Sequence, residues 1–172
     1  TPPALIALGA TLTLRCGDER RTLPLEDYFI AYGHQDRQPG EFVESLFVPR
    51  PTSTTRIAIT KLSKRFDSDI SAVLGAIAID LDGDTVRSAR LAFGGMAATP
   101  KRATNAEQAL VGQPWSEATF EAAAMALHDD FKPLTDVRGS SGYRLTVAAN
   151  LLRRMWLAGT GETVSVLELA DV

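Results

Sequence analysis

Cysteine is nearly missing from this chain, because Cys16 is the single one among 172 residues. One thiol cannot form a disulfide within the chain, nor can it build an all-cysteine zinc or iron–sulfur site. Such usage is typical of a reducing compartment, so a cytoplasmic location is predicted. Since Cys16 alternates with leucines in a strand pattern, it is expected to be a core thiol rather than a nucleophile.

Long apolar runs and an excess of positive charge are missing too. No stretch approaches the roughly 18 apolar residues that a membrane helix requires, so no membrane partner is expected. The net charge of −3 provides no long-range field for gathering phosphate backbones, so nucleic acid is not an expected partner. No glycine-rich phosphate loop of either familiar spacing is present.

Histidine is scarce, and its spacing favours neither a metal site nor a catalytic triad. His34 lies in a polar loop and His128 near a predicted helix end, so both are expected to have surface or helix-end roles. Gly94 and Gly95 are expected to end a strand at a position where the backbone needs the wider φ range of glycine. No metal ligand and no catalytic residue is predicted.

Two prolines, Pro49 and Pro51, mark the best boundary in the sequence, since neither can donate to a strand ladder. The elements predicted within residues 1–50 are short and irregular, so this part resembles the tail of one domain. Residues 51–172 follow one pattern, strands and then helices. The chain enters an apolar segment without an initiator methionine or a polar lead-in. A fragment of a longer polypeptide is therefore expected.

The second unit begins with a strand in which Ile57 and Ile59 form the apolar face. Lys61 lies on the same face, one step beyond, so its stem is expected along the core and its ammonium at the end of the sheet. Asp82-Gly83 between apolar runs predicts a hairpin of two antiparallel strands, although the start of the first could instead be helical.

Three helices are predicted after the strands, over residues 105–111, from Ser116 to Pro133, and over 141–157. Thr104 and Glu107 fit a capping box for the first helix. On the second and third helices the inward residues are expected to be Phe120, Ala124, Leu127, Phe131, Leu145, Ala148, Leu152 and Met155, with Arg144, Arg153 and Arg154 largely outward. Residues 164–169 form either a closing strand or a tail. Strands followed by helices favour an α+β fold, a three-stranded antiparallel sheet packed against about three helices.

The segment 61–70 crowds five charges between two apolar runs: Lys61, Lys64, Arg65, Asp67 and Asp69. Two interpretations are open. One is a salt-bridged surface loop. The other is a loop at the end of the sheet that offers ammonium and guanidinium groups to an anionic or carbonyl-rich ligand, with the two aspartates orienting them.

Three motifs in order carry a resemblance to a known family: residues 61–73 (KLSKRFDSDISAV), 92–103 (AFGGMAATPKRA) and 143–154 (YRLTVAANLLRR). They resemble the FAD-bearing part of the xanthine dehydrogenases, especially the small iron–sulfur/FAD subunit of the bacterial type. The resemblance covers nearly the whole chain. It implies the tail of an FAD-binding (PCMH-type) α+β domain, followed by a domain like the carbon monoxide dehydrogenase flavoprotein C-terminus.

In that family a molybdenum centre oxidises hypoxanthine and xanthine to urate, and electrons pass through two [2Fe–2S] clusters to FAD and then to NAD⁺. The resemblance implies that Lys61 contacts the flavin and that Val43 lies against FAD. It places Arg65 and Asp69 in the loop beside the ring that shapes NAD⁺ access, and Ile70 next to it. The remaining FAD site, the clusters and the molybdopterin would lie elsewhere in the complex.

The implied partners are the upstream FAD and iron–sulfur domains and a molybdenum-binding large subunit, and the chain alone is expected to be inactive. Two alternatives stay open. One is the flavoprotein subunit of another molybdenum hydroxylase, of the carbon monoxide dehydrogenase or aldehyde oxidase type. The other is a non-catalytic module that docks a partner subunit through its three-helix face.

Overall fold

A three-stranded and a four-stranded antiparallel sheet, a small two-stranded sheet and four α-helices make up the computed structural model, which describes residues 1–65, 68–162 and 164. The predicted α+β class is confirmed. Within residues 1–50 the elements are α1 (Pro2–Ala7), β1 (Thr11–Cys16), β2 (Glu19–Pro24), a 3₁₀ helix (Leu25–Tyr28), β3 (Phe29–Ala31), β4 (His34–Gln35) and β5 (Phe42–Phe47). The first sheet has the order β2-β1-β5.

The second sheet has the order β6-β7-β8-β9, with every neighbouring pair antiparallel. Its strands and the helices that follow are β6 (Thr55–Leu62), β7 (Val73–Asp82), β8 (Thr85–Gly94), β9 (Lys101–Arg102), α2 (Thr104–Leu110), α3 (Glu117–Asp130) and α4 (Ser141–Gly159). The three expected strands are present, and a two-residue fourth strand extends the sheet. The Asp82-Gly83 hairpin is confirmed, with Gly83 at a φ of +58°.

Helices α2, α3 and α4 cover one face of the second sheet, called here the closed face. Their inward side chains and those of β7 and β8 form one apolar cluster, in which Phe93 packs edge-on against Phe131 with ring centroids 5.5 Å apart. The predicted face of α3 is buried as expected, and Ser116 caps that helix by accepting from the Thr119 amide. On α4 the predicted Ala148, Leu152 and Met155 are buried, and Leu145 is half-buried.

The opposite face of the second sheet packs against the first part of the chain. Ile6 of α1, with Leu12 and Leu14 of β1, forms a cluster with small residues of β7 and β8. Arg90 of β8 ties the two parts together, because it donates to the Ile6 carbonyl at 2.8 Å and to the Glu26 carboxylate at 2.6 Å. Helix α1 lies over β7 and β8. The predicted domain boundary after residue 50 stays a prediction.

The expected orientation of β6 is wrong. Ala58 and Leu62 pack against the closed-face core, whereas Ile57 and Ile59 are 42% and 50% exposed. Because side chains alternate along a strand, Lys61 lies on the exposed side with the two isoleucines. Its stem does not lie along the helical core. We call this side of β6 the open face.

The expected capping box of α2 is also wrong. The helix begins at Thr104 itself, and Glu107 is buried and bonds to strands β8 and β9 instead. The amides of Asn105 and Ala106 donate to the Asp130 carboxylate at 2.9 and 3.0 Å. A carboxylate from the end of α3 thus satisfies the first amides of α2.

Two further expectations concern the ends of elements. Cys16 is exposed at the end of β1, so the core-thiol prediction is wrong. The possible closing strand at 164–169 lies outside the described residues except for position 164.

Candidate functional site

Two connecting segments face each other across an open cleft at the end of the second sheet where β6 stops and β7 begins. The connection between those strands contributes the described residues 63–65 and 68–72, and residues 134–139 lie between α3 and α4. The first segment lines the cleft with Lys64, Arg65, Ser68, Asp69 and Ile70, and the second with Val137 and Arg138. The structure therefore brings together three of the five predicted site residues, Arg65, Asp69 and Ile70.

Three cationic side chains line this cleft: Lys64, Arg65 and Arg138. The Lys64 ammonium donates across it to the Val137 carbonyl at 3.4 Å. Lys64 and Arg65 are both exposed, so the cleft presents positive charge to solvent beside the Asp69 carboxylate. Such a surface can accept an anionic or carbonyl-rich group through charge-assisted hydrogen bonds.

Val43 and Lys61, the other two predicted site residues, lie on sheet faces rather than in the lining of the cleft. Val43 stands opposite Leu14 on β1, and Lys61 stands opposite Leu74 on β7. Directly opposite residues share a face, and Leu14 and Leu74 both belong to the cluster between the two sheets. Val43 and Lys61 therefore lie on the two faces that border this cluster, and both are exposed.

Strand β5 contains four apolar residues, Phe42, Val43, Leu46 and Phe47, and is exposed along its whole length. Phe42 is 53% exposed, Leu46 43% and Phe47 67%. On the open face of β6, Ile57 and Ile59 are likewise apolar and exposed. Monomeric proteins rarely leave such strands uncovered, and an extended apolar surface of this kind marks a binding region.

Arg144 at the start of α4 is the residue that sequence reasoning missed. The expectation that it points outward is wrong, since it is only 3% exposed. Its Nη1 donates to the Ala72 carbonyl at 2.5 Å and to the Gly95 carbonyl at 2.7 Å, and its Nη2 donates to the Asp136 carboxylate at 2.6 Å. A signal was present in the sequence, because Arg144 precedes the inward Ala148 by one helical turn.

The Asp136 carboxylate is the charged partner in this arrangement. It accepts from the Arg138 amide at 2.9 Å and from the Arg144 guanidinium. These contacts, the Arg138 amide above all, lower the pKa of Asp136 to about 2. Asp136 is therefore ionised at neutral pH, and the buried Arg144 charge is compensated.

The other candidates from the sequence stand apart from the cleft. Both His34 and His128 are exposed. Among the residues that the structure describes, no three His, Cys, Asp or Glu side chains converge as a metal-binding group. Within the same residues, every helix is too short or too polar to cross a bilayer.

Gly95 fits the predicted strand end and has an additional role. It adopts a φ of +79°, where a side chain is strained. A Cβ at this position would overlap the Ala72 carbonyl and approach Arg144 Nη1 to 3.0 Å. Glycine is therefore needed for close approach around the guanidinium.

Two family models match the chain. The model described as "CO dehydrogenase flavoprotein C-terminal domain" matches residues 58–158, and the one described as "FAD binding domain in molybdopterin dehydrogenase" matches residues 1–51. The first model alone covers more than half of the chain.

Curated relatives belong to several enzymes. The chain is 34% identical to nicotinate hydroxylase and 32% identical to xanthine dehydrogenase, both of Emericella nidulans, in each case over 90% of this chain and 12% of the relative. It is 29% identical to the carbon monoxide dehydrogenase medium chain of Hydrogenophaga pseudoflava, over 88% of this chain and 53% of the relative. The chain thus spans about an eighth of the fungal relatives and about half of this bacterial one.

Solved structures agree with the sequence matches. Carbon monoxide dehydrogenase from Hydrogenophaga pseudoflava superposes with a TM-score of 0.83 at 29% identity, over 89% of this chain and 53% of that one. Quinoline 2-oxidoreductase from Pseudomonas putida gives 0.77 at 25% identity, over 91% and 54%. On the extent of these matches, the chain belongs to the flavoprotein family of the molybdopterin dehydrogenases, as a CO dehydrogenase flavoprotein C-terminal domain joined to a segment of the family's FAD-binding domain.

Proposed function

We propose that this chain forms one wall of the FAD site in a molybdenum hydroxylase, an oxidoreductase that works as a multisubunit complex. The observation that carries the proposal is the exposed, apolar and cationic surface of β5, β6 and the cleft, in a chain that two flavoprotein family models match. FAD would supply hydride and electron transfer, while the protein holds and orients it.

The exposed residues fit the chemistry of a flavin. A flavin ring is broad and largely apolar, with carbonyl oxygens at one end, and it needs an apolar face beside a hydrogen-bond donor. Val43 on β5 supplies apolar surface, and the Lys61 ammonium supplies a donor at the end of the open face. Arg65, Asp69 and Ile70 then form the rim through which an electron acceptor reaches the ring.

The finer proposal is a xanthine dehydrogenase type of enzyme, which oxidises hypoxanthine and xanthine to urate and passes electrons from FAD to NAD⁺. It is supported by the order of the three sequence motifs and by the 32% identity to a fungal xanthine dehydrogenase. The cationic cleft offers a place for an anionic acceptor such as NAD⁺.

A second candidate is another hydroxylase of the same class. A nicotinate hydroxylase matches at 34% identity, and carbon monoxide dehydrogenases superpose well. The substrate would be bound by the molybdenum-bearing part of the complex, so the wall described above serves either enzyme.

The proposed partners are an upstream FAD-binding segment, an iron–sulfur domain with [2Fe–2S] clusters, and a large subunit with molybdopterin, in a cytoplasmic complex. Relatives named as medium chains, including glyceraldehyde dehydrogenase medium chain of Sulfolobus acidocaldarius, support assembly with other subunits. The uncovered β5 supports an upstream segment as its neighbour.

The test is a Lys61→Ala substitution in the complete subunit, purified in its complex. Loss of one charged hydrogen bond is expected to weaken FAD retention about tenfold. Bound FAD is measured by absorbance after gel filtration, and NAD⁺ reduction is followed with xanthine, nicotinate or carbon monoxide as reductant. Of these three reductants, only xanthine is expected to support NAD⁺ reduction.

Lys132→Ala is the matched control, because Lys132 is also an exposed lysine but follows α3, which packs on the opposite face of the sheet. It should leave FAD content unchanged. Equal FAD content in the Lys61→Ala and parent complexes would refute the flavin assignment of Lys61. Turnover with nicotinate or carbon monoxide but not xanthine would replace the finer proposal with the second candidate.

A further inference from the structure

The Arg144 guanidinium gathers acceptors from three separate segments of the chain. They are the Ala72 carbonyl at the end of residues 63–72, the Gly95 carbonyl just after β8, and Asp136 with Gly139 between α3 and α4. Arg144 comes from a fourth element, α4. A single side chain therefore ties together four parts of the fold at the end of the sheet.

Only arginine can satisfy this arrangement. Its planar head has five N–H donors in a fixed fork, which suits two carbonyls on Nη1 and a carboxylate oxygen on Nη2. Lysine has a single nitrogen on a flexible stem and cannot reach acceptors on both sides of the fork. Gly95 allows the close approach, since a Cβ there would collide with the same carbonyl and guanidinium.

Both segments that Arg144 holds are walls of the cleft. Ala72 ends the wall that contains Arg65, Asp69 and Ile70, and Asp136 begins the wall that contains Val137 and Arg138. Across the opening, one long contact of 3.4 Å joins Lys64 to the Val137 carbonyl. Arg144 joins the same two walls through shorter bonds, to the Ala72 carbonyl at 2.5 Å and to the Asp136 carboxylate at 2.6 Å.

We propose that Arg144, with Asp136, is the positioning residue of the cleft: it fixes the distance between residues 68–72 and residues 134–139, and so the place of the charged rim beside the flavin. That the cleft lies beside a flavin rests on the proposed function. The effect of Arg144 on the two segments does not rest on it, so the two statements can fail separately.

The experiment uses the complete complex with Arg144→Lys and, as a milder second variant, Asp136→Asn. Amide hydrogen exchange is measured in peptides that cover 63–72 and 134–139. Visible circular dichroism reports the flavin environment, and KM for NAD⁺ is measured separately from kcat.

Arg144→Lys is expected to speed amide exchange in both segments about tenfold, because at least one charged hydrogen bond is lost. It should also alter the flavin spectrum and raise KM for NAD⁺ more than it lowers kcat. Asp136→Asn should do the same to a smaller extent.

Arg153→Lys is the matched control. Arg153 lies on the same helix and pairs with Glu121 of α3 at 2.5 and 2.7 Å, and neither residue lines the cleft. It should change neither the exchange of the two segments nor the flavin spectrum.

Unchanged exchange in both segments would overturn the proposal. If Arg144→Lys does not fold, exchange is measured on Asp136→Asn, and unchanged exchange in both segments of that variant overturns the proposal. Faster exchange with an unchanged flavin spectrum and an unchanged KM would support the positioning role while removing the flavin from the cleft, which is a failure of the proposed function alone.

Discussion

The closed face of the second sheet and the open face of its edge strand β6 differ in how completely the chain covers them. The closed face buries Ile77 and Phe93 under three helices, whereas on the open face Ile57 and Ile59 of β6 remain about half exposed. The same residue type is thus used for packing on one face and left uncovered on the other. Burial on the closed face contributes to stability, and the open face of β6 is part of the surface that we propose to contact a cofactor and a neighbouring segment.

Ile77→Ala has the largest expected effect. Ile77 is 1% exposed and lies in the middle of β7, so truncation leaves a cavity under the helices. The free energy of unfolding should fall by about 2–5 kcal/mol. Urea denaturation of the chain followed by circular dichroism measures it. A loss below about 1 kcal/mol would mean that the closed face is not tightly packed.

Acid should weaken the contacts that the Asp136 carboxylate makes with Arg144 and Arg138. The folded-state pKa of Asp136 is lowered to about 2, so the unfolded chain takes up a proton first as pH falls below about 4. The stability that this carboxylate contributes is full above pH 4 and is lost as the pH approaches 2. Thermal unfolding of the parent chain and of Asp136→Asn is compared from pH 6 to pH 2. The two curves should converge toward pH 2, and parallel curves would contradict the assignment.

Ile59→Ala has the smallest expected effect and is the direct counterpart of Ile77→Ala. The side chain is half exposed on an edge strand, so the free energy of unfolding should change by no more than about 1 kcal/mol. The same urea titration gives the value. A loss equal to that of Ile77→Ala would erase the distinction between the two faces.

Much of the fold follows from local sequence signals. Ser116 caps α3 because its hydroxyl meets an amide three residues away, and Asp82-Gly83 turns the hairpin because glycine accepts a positive φ. The inward face of α3 follows from helical spacing. The family of the chain was also within reach of the sequence, through three motifs in order.

The errors arose where a distant segment decides the outcome. Alternation shows that Ile57 and Ile59 share a face of β6, but not which face the helices will cover, and the small Ala58 proved to be on the packed side. The first amides of α2 are capped by Asp130, 25 residues beyond Asn105. Local pattern contains no information about such partners.

By itself, the sequence determined the α+β class, the turns, the cap of α3 and the charged segment after β6, because each depends on neighbours within a few residues. The tertiary structure alone decided which face of β6 stays open and that Arg144 is buried. Its acceptor on Ala72 lies 72 residues away, and a guanidinium can leave water only where folding has already assembled carbonyls and a carboxylate around it.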